Sequence, residues 1–146
     1  DPRVKTIGEL LRDARNRRHL SLDEVAGHLG LSTDVLARWE NGDPELEKWG
    51  KVLADIAIQL SVPTSRLISE SGRSEQAQQG QCGARIRAMR EARGMSAESL
   101  SAKIGLSTEE YQELEAGRSP LEKVAPLLLK MAELVDLPIF NLLYGY

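Results

Sequence analysis

Apolar residues recur along this chain every three to four positions, in short runs separated by Ser, Gly, Asn and Pro. Ile7, Leu11 and Ala14 follow that helical spacing and predict a first helix. Ser21, ahead of Leu22-Asp23-Glu24, reads as an N-cap with acidic first-turn residues, and Val25 and Leu29 supply the buried face of a second helix. Gly30 stops it. Ser32 caps a third helix that carries Leu36 and Trp39 and ends at Asn41-Gly42. The fourth is the most regular, with Leu46, Trp49, Val52, Leu53, Ile56 and Leu60 on one stripe. Pro63 then stands where a fifth helix begins, at or near its first turn.

The same pattern returns about 75 positions later without a gap. Gly8 falls on Gly83; Arg12, Arg15 and Arg18 fall on Arg87, Arg90 and Arg93; Ser21 falls on Ser96. Gly30-Leu31-Ser32-Thr33 meets Gly105-Leu106-Ser107-Thr108, and Glu40, Gly42, Leu46-Glu47-Lys48, Leu53, Ala57, Pro63 and Leu67 all meet identical partners. About eighteen identities in roughly sixty positions mark an internal duplication. The second set of helices rests on Cys82, Ile86 and Met89, then Leu100 and Ile104, then Tyr111 and Leu114, then Leu121, Val124, Leu127, Leu128, Met131 and Val135, with Pro138 before the last. A polar Ser/Gln/Gly stretch divides the copies. The expected organisation is a first domain over residues 1–70, a linker over 71–80 and a second domain over 81–146, all-α, with five helices in each copy.

Composition narrows the function classes. Hydrophobic content of 41% and charged content of 28% describe a folded chain, and 4% aromatic content leaves the cores to aliphatic side chains. No apolar run approaches the roughly 20 residues of a membrane span, and Asp1-Pro2-Arg3 is not a basic-then-apolar secretion signal. Cys82, the single cysteine, excludes an internal disulfide framework and fits a reducing cytoplasm. It aligns with Ile7 and is expected as buried filler. His19 and His28 have no ligand at metal spacing. With no phosphate-binding glycine loop and no nucleophile, base and orienter set, the expectation is no enzyme, no cofactor and no metal.

Ala26, Gly30, Leu36 and Trp39 occupy the fifth, ninth, fifteenth and eighteenth places of a helix-turn-helix motif, and Trp39-Glu40-Asn41-Gly42 matches its ending. The second copy supplies Ser101, Gly105, Tyr111, Leu114 and Glu115-Ala116-Gly117. The small residue and the glycine let two helices cross closely, and the apolar pair holds the third helix down. The chain thus resembles the Cro/C1-type (XRE-like) helix-turn-helix family over nearly all of both halves. That resemblance implies two tandem lambda-repressor-like domains whose third helix enters the major groove. It departs from the family at Leu22 and Ala97, where a phosphate-binding glutamine is usual.

The implied reader is the first copy, through Ser32, Thr33, Asp34, Ala37 and Arg38 on bases or phosphates, with Arg17 and Asn41 on the backbone. Arg17 has no counterpart in the second copy, where Ala92 stands. The other helix-one arginines, Arg12, Arg15 and Arg18 with Arg85, Arg87, Arg90 and Arg93, admit two readings. Either they approach the DNA backbone or they serve the fold, with Arg15 and Arg90 paired to Glu40 and Glu115. The second copy's third helix carries Glu109, Glu110 and Glu113, which phosphates repel. Its apolar tail from Leu137 to Tyr146, with Phe140 where the first copy has Ser65, is expected at an interface within or between chains.

The leading expectation is therefore a cytoplasmic, sequence-specific DNA-binding transcriptional regulator. Its partners would be double-stranded DNA and either a second copy of the chain or another protein through the second domain. Paired readers of this kind space their recognition helices by about 34 Å. Net charge of −3 and the acidic second copy keep a rival open: a protein-interaction module that retains the fold without binding DNA.

Overall fold

The computed structural model describes residues 5–77 and 80–144. The opening Asp1-Pro2-Arg3, the linker's Gln78 and Gln79, and Gly145 and Tyr146 of the apolar tail lie outside the described residues. Among the described residues are ten α-helices, one 3-10 turn and no strand. The first half holds α1 (Ile7–Arg17), α2 (Leu22–Leu29), α3 (Thr33–Glu40), α4 (Pro44–Leu60) and α5 (Thr64–Ile68). The second holds α6 (Cys82–Ala92), α7 (Ala97–Lys103), α8 (Thr108–Glu115), α9 (Leu121–Leu134) and α10 (Ile139–Tyr144).

Local chemistry sets most of these boundaries. Ser21 Oγ accepts from the Glu24 N–H at 3.1 Å while Glu24 Oε1 accepts from the Ser21 N–H at 3.0 Å, a reciprocal capping box. Thr6 with Glu9 and Ser107 with Glu110 repeat it at α1 and α8. Ser32 and Ser96 cap α3 and α7 through their hydroxyls alone. Gly30 and Gly105 turn the chain into the left-handed region, at φ of +70° and +74°, which costs glycine no Cβ clash. Pro63 and Pro138 each stand one residue before the last helix of their half.

The apolar stripes become one core rather than two. Buried aliphatic residues from both halves form a single contiguous cluster. At its centre α4 packs on α9, and the surrounding contacts are reciprocal: α10 lies against α1 and α4, while α5 lies against α6 and α9. The two halves are thus related like the subunits of a two-fold dimer, joined by covalent chain. A Cβ placed on Gly50 of α4 would lie 2.3 Å from Ile7 Cδ1 and 3.1 Å from Leu143 Cδ2, so α1, α4 and α10 approach closely there. Tyr144 Oη donates to Asp55 Oδ1 at 2.8 Å across the same seam. Within the apolar tail of the second copy, Ile139, Leu142 and Leu143 are buried inside the chain, whereas Phe140 stays exposed.

Within residues 71–80, read as a polar linker, Ser74–Gln76 form a 3-10 turn held by α9. Both the amide and the hydroxyl of Ser74 donate to the Glu133 carboxylate. Leu127 and Met89, placed on buried faces by spacing, are only half-buried. In α9 Leu129 is buried too, as is its counterpart Ala54 in α4, and Pro126 lacks the backbone donor that would reach the Glu122 carbonyl one turn before it.

Candidate nucleic-acid interface

The third helix of each half is fixed first by its crossing with the first helix of that half. A Cβ on Gly8 would sit 2.0 Å from the Trp39 carbonyl oxygen, and one on Gly83 would sit 2.0 Å from that of Leu114. Only glycine admits such an approach. Glu47 then closes the end of α1, accepting from the Ile7 and Gly8 amides at 2.9 and 3.0 Å. Glu122 does the same for Cys82 and Gly83 at 3.0 and 2.7 Å. These carboxylates answer the unpaired amides and partial positive charge of a helix N-terminus. Sequence reasoning assigned them no role, although their identity in both copies was a signal.

A buried ion pair ties the same region together. Arg15 Nε and Nη2 donate to the two Glu40 oxygens at 2.7 and 2.9 Å, and Nη1 donates to the Leu20 carbonyl at 2.8 Å. Arg90 repeats this with Glu115 and the Met95 carbonyl. Hydrogen bonding to these carboxylates raises both guanidinium pKa values, against the opposing effect of burial. The structural pairing read from the repeat is present in both halves.

Of the residues singled out in the first half, Arg38 on α3 and Arg17 at the end of α1 are exposed and have no partner among the described residues. Asp34 is exposed one turn before Arg38 on α3, and Ala37 is half-buried. Ser32 is exposed, but its hydroxyl oxygen accepts from the Val35 amide at 3.2 Å as the helix cap. Two others are already engaged. Thr33 Oγ1 donates to Asp23 Oδ1 at 2.7 Å, and Asn41 Oδ1 accepts from Arg12 Nη2 at 2.6 Å. Arg12 also donates to the Glu40 carbonyl at 3.0 Å. Asn41 therefore offers its amide nitrogen rather than its oxygen, and Thr33 offers an acceptor rather than a donor.

The second half differs. Its helix-one arginines, read from sequence as able to approach a phosphate backbone, are all committed within the chain. Arg85 donates twice to the Arg66 carbonyl, at 2.7 and 3.1 Å, and Arg93 Nε donates to the Leu60 carbonyl at 2.5 Å. Both bonds cross the seam and end on helical carbonyls. Arg87 lies 3.6 Å from Glu91, and Arg90 is held by Glu115. Arg18, the counterpart of Arg93, faces Asp136 at 3.9 Å, so this repeated arginine serves the seam from both sides. The reason is topological: the first helix of each half packs against the last helix of the other, which periodicity does not reveal.

The acidic face of α8 is partly neutralised. Lys48 Nζ from α4 donates to Glu110 Oε2 at 2.9 Å, and Arg118 holds Glu113 at 2.5 Å. Both carboxyls are drawn below the usual glutamate range, Glu110 chiefly by Lys48 and Glu113 chiefly by Arg118. Glu109 is exposed at the first turn.

Cys82 is buried, and desolvation, followed by the nearby Glu122 charge, pushes its thiol pKa well up. It packs as the apolar residue that the alignment with Ile7 implied. Trp39 and Trp49 are likewise buried in the core. His19 and His28 are both exposed. No helix among the described residues is long and apolar enough to cross a membrane.

Two five-helix units, each with a small residue and a left-handed glycine between its second and third helices, make this an all-α pair of helix-turn-helix domains. The helix-turn-helix domain family matches the chain over residues 6–57 and again over 81–138, and the chain belongs to that family. Neither a curated protein nor a solved structure matches it.

Proposed function

We propose that the protein is a sequence-specific DNA-binding transcriptional regulator of the Cro/C1 type, with the first half as the reader. The observation that carries this reading is the asymmetry of free cations. Among the described residues Arg38 on α3 and Arg17 at the end of α1 project without partners, whereas every helix-one arginine of the second half is bound within the chain. An exposed arginine on a recognition helix can fork to guanine O6 and N7, and one at the end of the first helix can meet a phosphate. Ser32, Asp34 and Ala37 complete the surface offered to base edges. Thr33 and Asn41 contribute through the groups left over from Asp23 and Arg12. The reading assigns no catalysis to the chain and places its work beside DNA in the cytoplasm.

A second reading, a protein-binding module of the same fold, draws on α8. Glu109, Glu110 and Glu113 share that short helix, and a phosphate backbone repels such a face. The internal pairs to Lys48 and Arg118 reduce its charge and so weaken this alternative.

Selection of bound duplexes from a random pool at two salt concentrations, with Arg38→Ala as control, tests the proposal. The expected result is an enriched motif that the variant loses. A single half-site would mean one chain per duplex; an inverted repeat would mean a homodimer. Weak binding without enrichment, vanishing at moderate salt, would remove the regulator reading in favour of a protein partner.

A further inference from the structure

The reciprocal seam places one lysine of each half beside the recognition helix of the other. In the second half this contact is closed: Lys48 of α4 reaches across and its ammonium donates to Glu110 in the first turn of α8. The repeat equates Lys48 with Lys123 and Glu110 with Val35. Lys123 of α9 accordingly lines a cleft of about 260 Å³ together with Val35, Arg38 and Leu31 of the first half. Valine offers it no charge. Lys123 is exposed and forms no hydrogen bond or ion pair among the described residues.

We infer that Lys123, carried by the second half, is a phosphate-binding residue of the first half's DNA-reading surface, so that the surface is built by both halves of the chain. The inference rests on the proposed DNA-reading role of α3. Its physical basis is the same substitution that silences the symmetric site. Where glutamate faces the lysine, the ammonium is neutralised; where valine faces it, the ammonium stands free beside Arg38. A lysine ammonium is a compact point charge, suited to a phosphate oxygen rather than to a base edge. Two carboxylates line the same cleft, Asp43 and Glu45. Asp43 is occupied as the cap of α4, accepting from the Glu45 and Leu46 amides at 2.8 and 3.2 Å. Glu45 forms no ion pair with Lys123 within 4.0 Å. The role of the second half is then not to read sequence but to add a positive charge where the first half's reading helix meets the backbone.

The test is binding of the full chain to a mixed-sequence duplex, and to any duplex enriched in the selection, over a salt series. Lys123→Gln is compared with wild type, Lys48→Gln and Arg38→Ala. The inference expects Lys123→Gln to weaken both duplexes by a similar factor, about three- to tenfold, and to flatten the slope of log affinity against log salt by about 0.9. Lys48→Gln should leave that slope unchanged, and the thermal midpoint of Lys123→Gln should match wild type. If wild type binds and Arg38→Ala loses the motif, but Lys123→Gln keeps the wild-type slope, this inference is overturned while the DNA reading stands. A lowered midpoint with an unchanged slope would mean that Lys123 serves Glu45 and the fold, and overturns it equally. If wild type binds neither duplex, the DNA reading fails and takes the inference with it.

Discussion

Glu40 is only 3% exposed, and its charge is met by the Arg15 fork, itself 12% exposed. Removing Arg15 leaves the buried Glu40 only Arg12, whose more exposed Nε stands 3.5 Å away, and a buried charge so weakly compensated costs more than the pair itself contributes. Arg15→Met is expected to lower unfolding free energy by about 3 kcal/mol, while Arg15→Met with Glu40→Leu recovers most of that loss. Urea titrations of the three proteins would show it, and a double variant no better than the single would refute the account. Gly8 makes a sharper demand. Alanine there drives a methyl group onto the Trp39 carbonyl, so Gly8→Ala should cost on the order of 2 kcal/mol by displacing α1 from α3.

Acid acts at the same scale. Glu110 and Glu113 have folded pKa values below the unfolded ones, so their pairs contribute fully above the ordinary glutamate range. That contribution is lost as pH falls through the depressed folded values. Both groups are fully exposed, so the effect reads out as a titration rather than as a large change in stability. Carbon-detected NMR should find the Glu110 carboxyl titrating low, and Lys48→Met should return it towards the ordinary range. An unmoved titration would mean that the Lys48 contact does not persist in solution.

Among the elements, α4 and α9 occupy equivalent places but are built differently. Position 51 is lysine in α4, and its counterpart in α9 is Pro126, which has no amide to give to the turn before it. Pro126→Lys should therefore stabilise the protein by on the order of 1 kcal/mol, the restored hydrogen bond being offset in part by the greater freedom of the unfolded chain. A fall in the urea midpoint would show that α9 needs its proline to fit the seam. The helices themselves were legible in the sequence, because Ser21, Ser32, Ser96 and Ser107 cap where their spacing says they should. The fate of Leu127 was not. Spacing places a residue on a helix face, but the partner element decides how wide the buried face is, and α9 is covered from the side of Leu129.

For the whole molecule, the continuous core makes a thermodynamic claim. Both tryptophans, Trp39 and Trp49, lie in the first half, so their fluorescence reports that half and its seam with the other, while circular dichroism reports the helices of both halves. If the seam binds the halves into one folding unit, the two signals should change at the same denaturant concentration, with calorimetric and van't Hoff enthalpies equal. Separate transitions would mean two independently folding domains. Residues 5–70 alone should unfold at lower urea than the full chain. They lose Leu143 from beside Gly50 and the hydrogen bond from Tyr144 to Asp55, and a domain of that size has little stability in reserve.

The division between what the chain encodes locally and what it encodes only when folded is clear at the arginines. The sequence alone determined the helices and the duplication, and offered the Arg15–Glu40 and Arg90–Glu115 pairs as one of two readings, because each follows from spacing within one copy or from identity between copies. Only the tertiary structure decided which cations remain free. Arg85 and Arg93 stood open between a DNA contact and a role in the fold until the other half supplied the carbonyls of Arg66 and Leu60. Lys48 and Lys123 are identical in sequence context, yet one is neutralised and the other is not, because glutamate faces the first and valine the second across a seam. Short-range order is written in periodicity and caps, whose partners lie within a few residues. Charge pairing between halves depends on which surfaces meet, and that is settled only when the two apolar faces close on one another.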